Sequence, residues 1–229
     1  MPKALICMTN TAQFPGTDKP TGLTLPELTH VYEVLVKNKI GVDFMSPKGG
    51  YVPLDLYSLQ SIDDISWRYY GDPSFRDRAL GSTLSPEEVD PSEYDIIFFP
   101  GGHGTMFDFP DNQEIADIAT AIYINGGIVA AICHGVVVLL SVRDGSGELL
   151  LKGRTVTGYS NAEEIAGGTA GLVPFFPEDA MKARGANVKV GPPNSDTVRV
   201  DGRLLTGQNP FSATSLGEAI VRVLGEVTW

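Results

Sequence analysis

The chain has 229 residues, with 17 Lys and Arg against 28 Asp and Glu, a formal net charge of −11 at pH 7 and a hydrophobic fraction of 42%. That length suits one large domain, or one domain with an insertion, and is enough to bury a sizeable core. The acidic balance and the lack of a Lys/Arg cluster argue against nucleic acid as a partner, and no window approaches the ~20 apolar residues of a membrane span.

Short apolar runs alternate with amphipathic segments along the chain, the pattern of an α/β sheet, and there is no internal repeat. Residues 4–8 read as a first buried strand, and from Thr24 a helix carries Leu25, Leu28, Val31 and Leu35 on one stripe. Residues 42–45 form another strand, ended by Ser46-Pro47. The stretch 49–91 fits no simple βα unit. It mixes Trp67, Tyr69, Tyr70 and Phe75 with many Asp and Ser residues, and ends in Ser85-Pro86-Glu87-Glu88, a helix-start pattern. A connection of this length marks a functional element such as a lid or an interface, and not a separate domain.

Residues 94–99 and 127–132 are continuous apolar runs, as in parallel strands buried on both faces. Between them a helix starts after Asp111 with Ile115, Ile118, Ala119 and Ile122 at helical spacing. Residues 198–205 predict a hairpin turning on Asp201-Gly202, which adds an antiparallel edge to the sheet. A last helix holds Leu216, Ala219, Ile220, Val223 and Leu224 on one face. The expectation is a single α/β domain over residues 1–229, with a mostly parallel sheet and helices on both faces. The apolar stretch after Met1-Pro2-Lys3 is too short for a signal peptide, and two cysteines make no disulfide framework, so a reducing cytoplasm is the expected location.

Chemistry concentrates at Cys133-His134-Gly135, where a buried strand runs into a nucleophile-capable residue, a glycine and an apolar helical segment to Leu140. This is the layout of a nucleophile elbow, a sharp strand-to-helix turn at the carboxyl end of the sheet, and both the turn and the helix N-terminus favour a thiolate. A small buried core residue is the competing account of Cys133, and the one that suits Cys7. Only three histidines exist, His30, His103 and His134, and none lies downstream of the elbow beyond its immediate neighbour. That excludes a papain-like arrangement, and also the distal histidine and acid of a class I glutamine amidotransferase. A second signal is Pro100-Gly-Gly-His-Gly104 at the end of the preceding strand. The Gly102 backbone N–H could help hold an oxyanion there, although an ordinary glycine turn has the same composition. No metal-ligand spacing such as His-x-x-x-His is present, so no metal is expected.

These motifs resemble the ThiJ/PfpI (DJ-one) superfamily, in particular its longer branch of glutathione-independent glyoxalase III enzymes and heat-shock chaperones. Gly22-Leu-Thr-Leu-Pro-Glu27-Leu-Thr-His30, Ser46-Pro-Lys-Gly-Gly50, Gly158-Tyr-Ser-Asn-Ala-Glu-Glu164 and Thr206-Gly-Gln-Asn-Pro210 extend the likeness over nearly the whole chain. The resemblance implies a flavodoxin-like sandwich, related to the class I glutamine amidotransferase fold, and a homodimer. It makes Cys133 the reactive cysteine, His134 its neighbouring base and Glu164 the acid that orients the base, with Glu163 the fallback. Glu27 becomes the helix glutamate that contacts the sulfur, Gly102 and the His134 backbone the oxyanion site, and His103 a substrate-contacting side chain. Rival structural accounts stand beside these. Thr24 and Glu27 have capping-box spacing, Glu163 and Glu164 could be first-turn glutamates after an Asn161 cap, and His30 and His103 could be satisfied polar groups beside the pocket. Val31 and Val136 stand where relatives commonly carry proline.

The implied activity is conversion of 2-oxoaldehydes such as methylglyoxal to 2-hydroxy acids without glutathione, cofactor or metal. The thiolate would add to the aldehyde, and Glu27 or His134 would move the proton. The competing expectations are a stress-response holdase using the aromatics of residues 67–70, and a deglycase or amidase-type cysteine hydrolase.

Overall fold

The computed structural model describes residues 1–60 and 62–226. Its centre is a six-stranded sheet, built from β1 (Lys3–Cys7), β2 (Gly41–Met45), β3 (Ile96–Phe99), β4 (Ile128–Ile132), β7 (Val198–Asp201) and β8 (Leu204–Gly207) in the order β2-β1-β3-β4-β8-β7. A two-stranded parallel ribbon of β5 (Thr155–Val156) and β6 (Asn187–Val188) stands apart. All neighbours in the main sheet run parallel except β7 and β8, the hairpin read from Asp201-Gly202. Gly202 takes φ +60° there, a backbone that glycine adopts without a Cβ clash. The expected mostly parallel sheet with an antiparallel edge is therefore borne out.

The helices are α1 (Leu25–Lys37), α2 (Leu56–Leu59), α3 (Asp64–Gly71), α4 (Pro73–Arg76), α5 (Thr105–Asp108), α6 (Gln113–Ile124), α7 (Asn161–Ala166), α8 (Pro177–Ala183) and α9 (Ala213–Glu226). Alternate strand residues face opposite layers. Ala4, Ile6, Phe98, Ala130 and Ile132 pack on the stripe of α1 and on Leu216 and Ile220 of α9. Leu5, Ile97, Phe99, Val129 and Ala131 pack on α6 and on the run 136–140 beyond the elbow. Each buried Leu, Ile or Phe contributes about 1.5–3 kcal/mol through the surface it removes from water. Helix α1 runs unbroken through Val31, and at Gly217 of α9 an added Cβ would lie 3.0 Å from the Val34 side chain. The two helices therefore approach closely on one face of the sheet.

The segment after β2 leaves the sheet and comes back through a closed neck. Gly50 N–H donates to Thr83 O at 2.8 Å and Thr83 N–H to Gly50 O at 3.1 Å. Within the loop, Tyr69 and Phe75 pack with Tyr32 of α1 and Phe44 of β2, and Tyr69 Oη donates to Glu33 of α1 at 2.5 Å. The helix start read at Ser85 yields only a single 3-10 turn, Pro86–Glu88, with the Ser85–Glu88 capping box formed. Pro91 restricts Asp90 to extended backbone, so the turn cannot propagate.

Candidate active site

Strands β3 and β4 are parallel neighbours, so their carboxyl ends lie side by side. From β4 the chain enters Cys133 at φ +58°, a left-handed conformation that costs a non-glycine residue about 1 kcal/mol or more, and turns into the 3-10 segment Cys133–Leu140. Gly135 makes that turn possible, since a Cβ there would sit 2.4 Å from Phe99 O. Gly101 abuts the elbow in the same way, with an added Cβ 2.8 Å from His134 N and 2.9 Å from Cys133 Cβ. The adjacent Gly102 has φ +105° and would clash with Gly22 O at 2.1 Å. The glycines of both motifs thus let two loops and the α1 entrance meet around one sulfur.

Cys133 Sγ lies 3.3 Å from His134 Nδ1, and His134 Nε2 lies 2.7 Å from Glu164 Oε2. Glu164 is completely buried and His134 nearly so. Burial pushes the Glu164 carboxyl up, but hydrogen bonds from His103 and His134 outweigh it and hold the group well below the usual carboxylate range. Burial and the neighbouring His103 charge together push His134 down to about 4, so its imidazole is neutral near pH 7. The hydrogen-bond network assigns its proton to Nε2, facing the carboxylate, and leaves the Nδ1 lone pair toward the thiol. Tyr159 covers the His134 ring at a centroid distance of 4.3 Å, and its N–H donates to Cys133 O at 3.2 Å.

Glu27 reaches the same sulfur from α1. Its Oε2 accepts the Gly101 N–H at 2.7 Å and its carboxyl also hydrogen-bonds the Cys133 thiol. Thr24 caps α1 by position only, without a side-chain hydrogen bond, so the capping box is not made. Burial lifts Glu27 to about 7, and burial followed by the Glu27 charge pushes the Cys133 thiol up. The pair therefore carries one negative charge at most near neutrality. A protonated Glu27 removes the like charge and donates to sulfur, and the His134 backbone N–H lowers the thiol against its burial.

Glu163 does not touch the imidazoles. It accepts from Ser160, Asn194, Gln208 and Asn209, and so builds the α7 entrance and the wall of residues 191–197. The cap of α7 is Ser160 and not Asn161. His30 pairs with Asp63 and Thr214 instead of lining the cavity. His103 does line it, and its Nε2 lies 3.0 Å from Glu164 Oε1. Cys7 is fully buried in β1.

A cavity of about 310 Å³ opens over Cys133, walled by Thr24, Asp55, Thr169, Tyr159 and Phe211 among others. Asp55, Ser58 and Thr169 escaped the sequence reading because they come from stretches without periodicity or motif. Thr169 Oγ1 donates to Glu164 Oε1. His103, His134 and Glu164 also bring donor atoms within 4.8 Å of one another, the kind of set that can hold a divalent ion. Those atoms already serve as hydrogen-bond partners for one another, so the geometry is accounted for without an ion.

A family model described as the DJ-1/PfpI family matches residues 22–223. The chain belongs to this family. It is 35% identical over 206 residues to the Glutathione-independent glyoxalase HSP31 of Saccharomyces cerevisiae, covering 85% of this chain and 86% of the relative. It is 30% identical to Glyoxalase 3 of Candida albicans, covering 96% and 98%. Among solved structures, the Francisella tularensis Rapid Encystment Protein 24 KDa superposes with a TM-score of 0.94 at 36% identity, covering 98% of this chain and 99% of the other. Glyoxalase III from Candida albicans superposes with a TM-score of 0.87 at 28% identity, covering 97% of each.

Proposed function

We propose that the chain is a glutathione-independent glyoxalase that converts small 2-oxoaldehydes such as methylglyoxal to 2-hydroxy acids. The observation that carries this reading is the line from Cys133 Sγ to His134 Nδ1 at 3.3 Å and from His134 Nε2 to Glu164 at 2.7 Å, set at the floor of a cavity. The names of the two glyoxalase relatives support it.

In this mechanism the Cys133 thiol gives its proton to His134 Nδ1 and the sulfur adds to the aldehyde carbon, forming a C–S bond and a hemithioacetal oxyanion. Backbone N–H groups of Gly102 and His134 stabilise that oxyanion. A base then removes the C–H proton of the first carbon, and the electron pair moves into an enediolate. His134, neutral again once it has passed the thiol proton to the hemithioacetal oxyanion, suits this step, and Glu27, poised near 7, suits return of a proton to the second carbon. The product thioester is hydrolysed by water, releasing the 2-hydroxy acid and the free thiol. Methylglyoxal plus water thus gives lactate with no net oxidation, and no cofactor enters the balance.

The test is lactate formation from methylglyoxal without glutathione. Wild-type turnover with loss in Cys133→Ser is the expected result. Absence of turnover in a wild-type protein whose Cys133 still alkylates would overturn the glyoxalase reading. Of the aromatics at 67–70 that a holdase would use, Trp67 is largely exposed, while Tyr69 packs in the aromatic cluster. For segment 49–91 we propose the role of a pocket wall, since Asp55 and Ser58 line the cavity. A homodimer in a reducing compartment completes the proposal, and sedimentation velocity checks the assembly.

A further inference from the structure

We propose that Asp55 and His103 are positioning residues. Together they hold Glu164 as the acceptor of the His134 Nε2–H, and so keep the His134 Nδ1 lone pair turned toward Cys133. This rests on the reading of Cys133 and His134 given above.

Four titratable side chains from four parts of the chain form one line. Asp55 Oδ2, from segment 49–91, lies 3.8 Å from His103 Nδ1, and His103 Nε2 lies 3.0 Å from Glu164 Oε1. Glu164 Oε2 then meets His134 Nε2 at 2.7 Å. Glu164 is thus divided between two imidazoles, one oxygen to each. The two rings lie 4.1 Å apart between centroids, so two imidazolium ions side by side would repel strongly in this buried setting. One positive charge suits the line, and Asp55 decides which ring carries it. His103 has a carboxylate on each side, whereas His134 has one carboxylate, with Cys133 on its other nitrogen and the Tyr159 ring over its face.

The titration directions agree. Burial pulls His103 down, but Asp55 and Glu164 outweigh it and raise the ring to about 9. Burial and the His103 charge lower His134 to about 4, against the opposing pull of Glu164 and Asp55. The His103 charge also reaches Glu27, whose carboxyl it lowers in opposition to burial. If His103 loses its charge, Glu164 gives its whole field to His134. That ring then takes up a proton at a higher pH than before, and below that pH it ceases to accept one from the thiol.

The test is the pH dependence of two independent rates in wild type, His103→Gln and Asp55→Asn: alkylation of Cys133 by iodoacetamide, and methylglyoxal turnover. In both variants the acid inflection of each profile, set by His134, should move up by about one pH unit from its wild-type place near 4. The His134 imidazole nitrogens, followed by NMR, should show the matching rise in protonation. Folded variants with unmoved inflections and an unmoved His134 titration would overturn the proposal. Asp55→Asn decides the matter if His103→Gln does not fold. A shifted alkylation profile in a protein without turnover would keep the positioning role and sink only the glyoxalase reading.

Discussion

The carboxylate of Glu27 accepts the backbone N–H of Gly101 at 2.7 Å, across the junction of α1 and the turn after β3. A glutamate with the spacing of a helix cap is thereby turned away from its own helix and onto the sulfur of Cys133. Its other oxygen, Oε1, is buried with no nitrogen or oxygen partner among the described residues, which favours the neutral carboxyl.

Glu27→Gln retains the Gly101 hydrogen bond through its carbonyl oxygen but cannot ionise. Wild-type Cys133 competes with Glu27 for one negative charge, so thiolate formation in the variant should occur at lower pH. Iodoacetamide rates across the pH range should show one inflection, displaced downward from wild type. Turnover should fall by about 100-fold or more, because the proton carrier is gone. An unchanged alkylation profile would show that Glu27 and the thiol do not share a charge.

The left-handed backbone of Cys133 reverses the usual ranking of alanine and glycine. Both Cys133→Ala and Cys133→Gly remove the thiol, but only glycine relieves the φ of +58°. Glycine should be the more stable variant by about 1 kcal/mol, or roughly 2–4 °C in melting temperature. Calorimetry showing the ordinary order, alanine above glycine, would mean that the elbow carries no strain.

Gly135→Ala should destabilise severely, since the new methyl would meet Phe99 O at 2.4 Å and Pro100 O at 2.8 Å, both backbone atoms. The expected loss is about 3 kcal/mol or more, roughly 6–12 °C. Gly171→Ala is the control, because nothing lies within 4 Å of a Cβ placed there. Its melting temperature should match wild type closely.

The two cavity histidines shape stability on opposite sides of neutrality. His103, raised in the folded state to about 9, stabilises fully below its unfolded value near 6.5, and that contribution is lost as pH rises through 9. The alkaline loss is on the order of 3 kcal/mol at most. His134, lowered to about 4, must stay neutral to fold, so its contribution is present above the unfolded value and is lost as pH falls through 4. Glu164, held below its unfolded value, adds a further acid loss below about pH 4.3. Chemical denaturation across pH should therefore give a maximum near neutrality, and His103→Gln should flatten the alkaline limb and, by relaxing the shifts of His134 and Glu164, make the acid limb shallower as well.

The sheet was legible because burial on both faces writes strands as unbroken apolar runs, as in Ile96–Phe99 and Ile128–Ile132. The elbow was legible because a strand, a nucleophile and a glycine adjoin in sequence. Glu27 was ambiguous for a physical reason: the spacing that serves a capping box also serves a side chain crossing to Gly101, and only the tertiary approach decides. Asp55 and Thr169 carried no signal at all. Asp55 reaches His103 by tertiary crossing from an irregular stretch, and Thr169 folds back on Glu164, five residues earlier, through the turn that ends α7. The adjacent glutamates show the same limit, since Glu163 braces the loop at Asn194 while Glu164 serves the histidines.

The reciprocal Gly50–Thr83 pairing ties off the chain between β2 and the return to the sheet. The excursion that begins at Tyr51 and ends at Ser82 is closed at that knot like a cartridge, and a second tie holds it beside α1, where Leu23 N–H donates to Pro53 O and Asp55 N–H to Leu23 O. It can lengthen, shorten or be exchanged while the strands keep their register, because loop-closure entropy changes only slowly with length. Its packing on α1 and its donation of Asp55 to the cavity make that cartridge the place where new substrate shapes, and new settings of the histidine pair, can arise without disturbing the sulfur beneath.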